Sequence, residues 1–109
     1  ALTPIQAFSI ATEMGAKGLG YSDVGTLNAG YSADFQVLDG SAAIRLNEQN
    51  VVQEVFWRKD PADIRAVYVN GSLAAKDGAA VNLDEKRIRQ EFRDCVHDFW
   101  KGQPYQIAD

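Results

Sequence analysis

The chain has 109 residues, enough for one small domain with a modest core. A hydrophobic share of 46% is too high for a disordered segment, and a formal charge of −4 argues against a general binder of nucleic acid or another polyanion. No apolar run nears the roughly 18 residues of a membrane span, and no charged leader followed by an apolar stretch stands at the start, so a cytoplasmic location without membrane contact is expected. Cys95 is the single cysteine, so no intrachain disulfide can form, which fits a reducing compartment. The chain starts at alanine, as an excised piece of a longer protein would.

Residues 2 to 20, LTPIQAFSIATEMGAKGLG, predict a helix. Thr3 can cap, Pro4 suits the first helical position, and Gln6 completes a capping box. Ile5, Phe8 and Thr12 fall on one stripe, and Ala7, Ile10, Ala11 and Met14 on an adjoining one, so the helix needs cover over a wide surface. Ala11, Gly15 and Ala16 allow close approach of a neighbour, and Gly18 and Gly20 stop the helix.

A loop follows, with Gly25 and Gly30 as turn residues. ADFQVLD then predicts a strand centred on Phe35 to Leu38, with Phe35 and Val37 on one face and Gln36 and Leu38 on the other. Residues 40 to 47 read as an irregular link. From Glu48 to Arg58, Val51, Val52, Val55 and Phe56 make one helical face, although three valines leave a strand as the alternative. Asp60-Pro61 breaks whichever forms.

IRAVYVNGSLAAKDG carries the clearest local signal. Ile64, Ala66 and Tyr68 alternate with Arg65, Val67 and Val69, and Asn70-Gly71 is the favoured pair for a two-residue type I′ hairpin. Leu73 to Lys76 returns antiparallel, and Asp77-Gly78 turns again. Asn82-x-x-Glu85 reads as a second capping box, and Ile88, Phe92, Cys95, Val96 and Phe99 make one stripe of a last helix running to Trp100. Gly102 and Pro104 end that helix, and a tail follows. The expected class is α+β, in the order helix, strand, doubtful helix, hairpin, helix. Three short strands cannot close a sheet, so an edge is expected to stay open unless another chain or segment covers it.

The chemistry-bearing residues are sparse. His97 is the only histidine and has no HxH, HExxH or cysteine pair beside it, so it reads as a surface residue. Cys95 sits on the apolar stripe and reads as a buried thiol. GAKGLG and GTLNAG lack the features of a phosphate loop and read as helix stop and turn. Asp34 and Asp39 flank a strand and read as strand-end or turn caps rather than paired acids. Phe56, Trp57 and Tyr68 read as core. Lys86, Arg87, Arg89 and Arg93 are interleaved with Asp84, Glu85, Glu91 and Asp94, the pattern of a solvated helix face. No catalytic, cofactor-binding or metal-binding residue is assigned within the chain.

The order of these motifs adds a resemblance. Residues 3 to 39 resemble the C-terminal end of the metal-dependent amidohydrolases, where a helix TPxEAxxxATxxGAxxLG precedes xGxLxxGxxADxVVxD. Thr3, Pro4, Ala7, Ala11, Thr12, Gly15, Ala16, Leu19 and Gly20 match the helix; Gly25, Leu27, Gly30, Ala33, Asp34, Val37, Leu38 and Asp39 match the loop and strand. DIRAVYVNGSLAAKDG is similar to the family's closing hairpin, with Ala74 and Ala75 where valines are usual. The link from Gly40 to Asp60 most resembles the deaminase and chlorohydrolase branch.

The resemblance implies that residues 1 to 22 are the last helix of a (β/α)8 barrel, 23 to 81 the C-terminal part of a composite β-sandwich, and 82 to 109 a C-terminal helix and tail. The family's metal ligands, an HxH pair, two later histidines and a barrel aspartate, would all lie upstream of Ala1. Zinc or another divalent metal is thus implied for the parent enzyme and none for this chain. The implied partners are the missing barrel and N-terminal strands, and a homo-oligomer is compatible. The expected function is the structural C-terminal portion of a hydrolase acting on C–N or C–Cl bonds of cyclic amidine or nucleobase-like substrates, inert alone. The alternative is a free-standing interaction module that recruits a partner strand at an open sheet edge.

Overall fold

A computed structural model describes residues 1 to 102; the expected stop at Pro104 and the tail lie outside the described residues. The N-terminal capping box forms as its residues dictate. Thr3 N–H donates to Gln6 Oε1 at 2.9 Å, and Gln6 N–H donates to Thr3 Oγ1 at 3.2 Å. Helix α1 (Pro4–Ser9) follows.

The expected single α-helix is interrupted. Ile10–Met14 is a π-helical turn, and α-helical geometry resumes in α2 (Gly15–Gly18). Gly15 explains why the wide turn is tolerated: a Cβ there would lie 2.6 Å from the Ile10 carbonyl oxygen. Thr12 Oγ1 also donates back to the Phe8 carbonyl at 2.7 Å, a side-chain bond that bends helices. Gly25 (φ 98°) then lies against the turn. A Cβ on it would stand 2.9 Å from Glu13 Cα, 3.0 Å from the Thr12 carbonyl oxygen and 3.1 Å from Ala16 Cβ. The small Ala16 therefore admits the loop that leaves the helix.

Four strands, one more than expected, form an antiparallel sheet in the order β1-β2-β3-β4: β1 (Phe35–Leu38), β2 (Ile64–Val69), β3 (Ser72–Lys76) and β4 (Ala79–Ala80). Phe35 opposes Tyr68, and their rings stack with centroids 4.8 Å apart. The extra strand comes from Asp77 (φ 48°) and Gly78 (φ 82°), which turn the chain so that Lys76 pairs with Ala79. Asn70 (φ 49°) and Gly71 (φ 78°) join β2 to β3 between the paired Val69 and Ser72. Gly71→Val forces a β-branched residue into positive φ and is expected to lower stability by about 1 kcal/mol or more. Thermal unfolding checks this, and an unchanged melting temperature would show that the turn does not constrain the hairpin.

The doubtful segment is a helix, α3 (Val51–Arg58), which starts later than Glu48. Asn47 accounts for the delay: its Oδ1 accepts from the N–H groups of Gln49 and Asn50 at 2.9 and 3.1 Å, holding those residues in a turn. Asp60 and Asp63 cap a 3-10 turn (Pro61–Asp63) that leads into β2.

The last helix, α4 (Glu85–Trp100), is capped by Asp84, whose carboxylate accepts from Arg87 N–H at 3.0 Å. The Asn82-x-x-Glu85 box is therefore not the cap. Glu85 is engaged elsewhere, accepting the β4 N–H of Ala80 at 2.7 Å.

Helix α3 packs on α1, and Glu54 is enclosed there at 7% exposure, the one buried residue among those described. Tyr68 is half-buried, but Phe56 is exposed and Trp57 is 73% exposed, so neither is core here. Cys95 is exposed rather than buried, because α4 makes few contacts with the other elements and its apolar stripe faces outward. The molecule is accordingly elongated, 57 × 34 × 30 Å. Among the described residues no helix is long and apolar enough to cross a membrane.

Candidate functional site

The two aspartates of ADFQVLD bracket β1 and reach into distant parts of the chain. Asp34 Oδ1 accepts the Asn70 N–H at 2.6 Å, beside a 3.0 Å bond from Gly71 N–H to the Ala33 carbonyl. Asp39 Oδ1 accepts Ser41 N–H at 2.7 Å, and its Oδ2 meets Arg65 Nη2 at 2.5 Å. Asp39 N–H also donates to the Asp63 carbonyl at 2.8 Å. By strand rise the two aspartates stand roughly 16 Å apart, beyond the separations at which two carboxylates share one reaction centre. They hold the two ends of β1 to β2 and its flanks, and they do not face a common substrate.

Hydrogen bonding by Arg65, and then by Ser41, holds the Asp39 carboxyl well below the usual carboxylate range; Asp39 in turn raises the Arg65 guanidinium. A carboxyl depressed in the folded state stabilises above its unfolded value of about 3.9 and loses that contribution as pH falls toward the folded value. Asp39→Asn is therefore expected to be less stable than the parent at neutral pH, with the gap narrowing progressively as pH falls below about 4. Urea unfolding across that range reads the effect. The pair is partly exposed, so the gap is small, and a gap independent of pH would remove Asp39 from this role.

The other candidates do not converge. Among the described residues no group of three or more His, Cys, Asp or Glu side chains is placed to hold a metal ion. Two of the α4 cations pair along the helix: Arg87 with Glu91 at 2.8 Å, and Arg89 with Glu85 at 3.6 Å. Gly20 (φ 86°) follows the end of α2, and Gly25 and Gly30 (φ 98° and 87°) turn the loop, as helix-stop and turn glycines do.

A shallow depression of about 260 Å³ lies over β2, β3 and β4, lined by Ile64, Ala66, Val67, Ala75 and Ala80 and edged by Arg65, Lys76, Asp77 and Glu85. Its wall is apolar. Arg65 is held by Asp39 and Glu85 by the Ala80 N–H, so two of the four charged rim residues are already engaged.

Glu54 escaped the sequence reading. Its Oε1 pairs with Arg58 Nε at 2.9 Å, and Oε2 is buried without a hydrogen-bond partner among the described residues. The i, i+4 spacing to Arg58 was the only trace in the sequence.

A family model described as the amidohydrolase family matches residues 1 to 74. The chain belongs to the amidohydrolase family. A 5'-deoxyadenosine deaminase of Methanopyrus kandleri is 35% identical over 74 residues, 67% of this chain and 17% of that protein. A 5-methylthioadenosine/S-adenosylhomocysteine deaminase of Shouchella clausii is 31% identical over 90 residues, 83% of this chain and 21% of that protein. One of the same description from Pelotomaculum thermopropionicum is 31% identical over 91 residues, 84% of this chain and 21% of that protein. The deaminase side of the sequence resemblance therefore holds. The chain spans about a fifth of the length of these curated relatives.

Amidohydrolases are generally metal-dependent. The described residues do not fit such a centre, because a catalytic zinc uses three protein ligands with one position open and His97 has no converging companions among them. No reaction step is assigned to a metal in this chain. The amidohydrolase match covers the capped helix, the Gly25 loop, β1 and the β2–β3 turn, the parts that the bonds of Thr3, Asp34 and Asp39 hold in place.

Proposed function

We propose that this chain is the C-terminal scaffold of an amidohydrolase-family deaminase that hydrolyses the exocyclic C–N bond of an adenosine-like substrate and releases ammonia. In this reading residues 1 to 22 are the last helix of a (β/α)8 barrel, 23 to 81 complete a composite β-sandwich, and 82 to 109 are a closing helix and tail. The observation that carries the reading is the amidohydrolase match over residues 1 to 74 in a chain whose matched helix keeps most of its apolar surface exposed. Leu2, Ile5, Met14 and Leu19 are exposed, with Leu19 at 79%, and β1 keeps one free edge in the described sheet. Such surfaces call for a barrel and for further strands. The metal that the family implies would be held by the remainder of the polypeptide and would supply an activated water there, with this chain serving as framework.

The test uses the whole polypeptide that contains this chain. Ammonia release is followed from 5'-deoxyadenosine, 5-methylthioadenosine and S-adenosylhomocysteine, with guanine, cytosine and a chloro-triazine as competitors for the assignment. Turnover of the adenine nucleosides is expected; turnover of the chloro-triazine alone would move the enzyme to the chlorohydrolase side, and none at all would overturn the reading. The encoding frame separates it from a free-standing interaction module, since about 300 residues with an HxH pair are expected upstream.

The isolated chain is expected to release no ammonia even with saturating zinc. Asp94 and His97 share a face of α4 at i, i+3 and give at most an open two-ligand site without walls. Zinc-dependent turnover that disappears in His97→Ala would refute this.

A further inference from the structure

We draw no further inference here: the strongest candidate, the exposed apolar stripe of α4 (Ile88, Phe92 and Phe99), carries nothing because nothing in the structure shows what covers it.

Discussion

Backbone amides of α1 and the π-helical turn are expected to exchange with solvent at close to unprotected rates in the isolated chain, and to be protected about a thousandfold or more in the whole polypeptide. The size follows from burial. Exchange protection tracks the free energy of local opening, and an opening cost of about 4–5 kcal/mol corresponds to three to four decades. Here Ile5, Ile10 and Met14 are exposed, Phe8 is only marginally covered, and no apolar side chain among the described residues is buried. The packing of α3 is the main cover on α1, and a helix of this length with so little packing is marginal in water. The matching observation is self-association of the isolated chain through the same surface. Slow exchange of residues 4 to 18 in a strict monomer would mean that the helix needs no further cover, and the barrel assignment would fall with it.

Gly25→Ala is expected to destabilise the whole polypeptide by roughly 2–5 kcal/mol, combining a strained positive φ with overpacking of a tight contact. The substituted Cβ would meet backbone atoms of Glu13 and Thr12 at 2.9 and 3.0 Å, and these cannot swing aside as a flexible side chain can. Gly30→Ala is the control. Gly30 has a similar φ of 87° with nothing within 4 Å, so it should show the backbone cost alone, about 1 kcal/mol. The difference between the two midpoints in urea isolates the contact with the helix. Equal shifts would show that the loop does not rest on the π-helical turn.

Local chemistry made some elements readable and hid others. Thr3, Pro4 and Gln6 announce a helix start because all the partners lie within one turn. The β1 strand was legible from alternation, and the antiparallel return of β3 from the spacing around Asn70-Gly71. The π-helical turn was not, because it depends on Gly15 relaxing and on Gly25 arriving from outside the helix. Nor was β4: two alanines carry no strand signature, and only the preceding Asp-Gly turn places them opposite β3.

At Asn82 one local motif lost to another, since Asp84 caps the helix and Glu85 accepts from Ala80, five residues back. Cys95, Phe56 and Trp57 show a further limit. Periodicity tells which face of a helix is apolar; whether something covers that face depends on residues elsewhere. The roles of Asp34 and Asp39 were legible as strand-end caps, but their partners Asn70 and Arg65 lie 36 and 26 residues away and no spacing rule finds them.

The fastening of β1 at both ends changes the thermodynamics of adding to it. A free strand gives up about 1–2 kcal/mol of backbone entropy per residue when it is ordered. Asp34 with Asn70 and Asp39 with Arg65 have already immobilised the four residues between them. Any strand that docks on the outer edge has only its own disorder to overcome, so β1 acts as a prepaid template. Templating is indifferent to the identity of the incomer. The rigidity that would speed assembly with the proper neighbour would also favour mispairing when that neighbour is absent, and the shortness of β1 is what limits how far such mispairing can propagate.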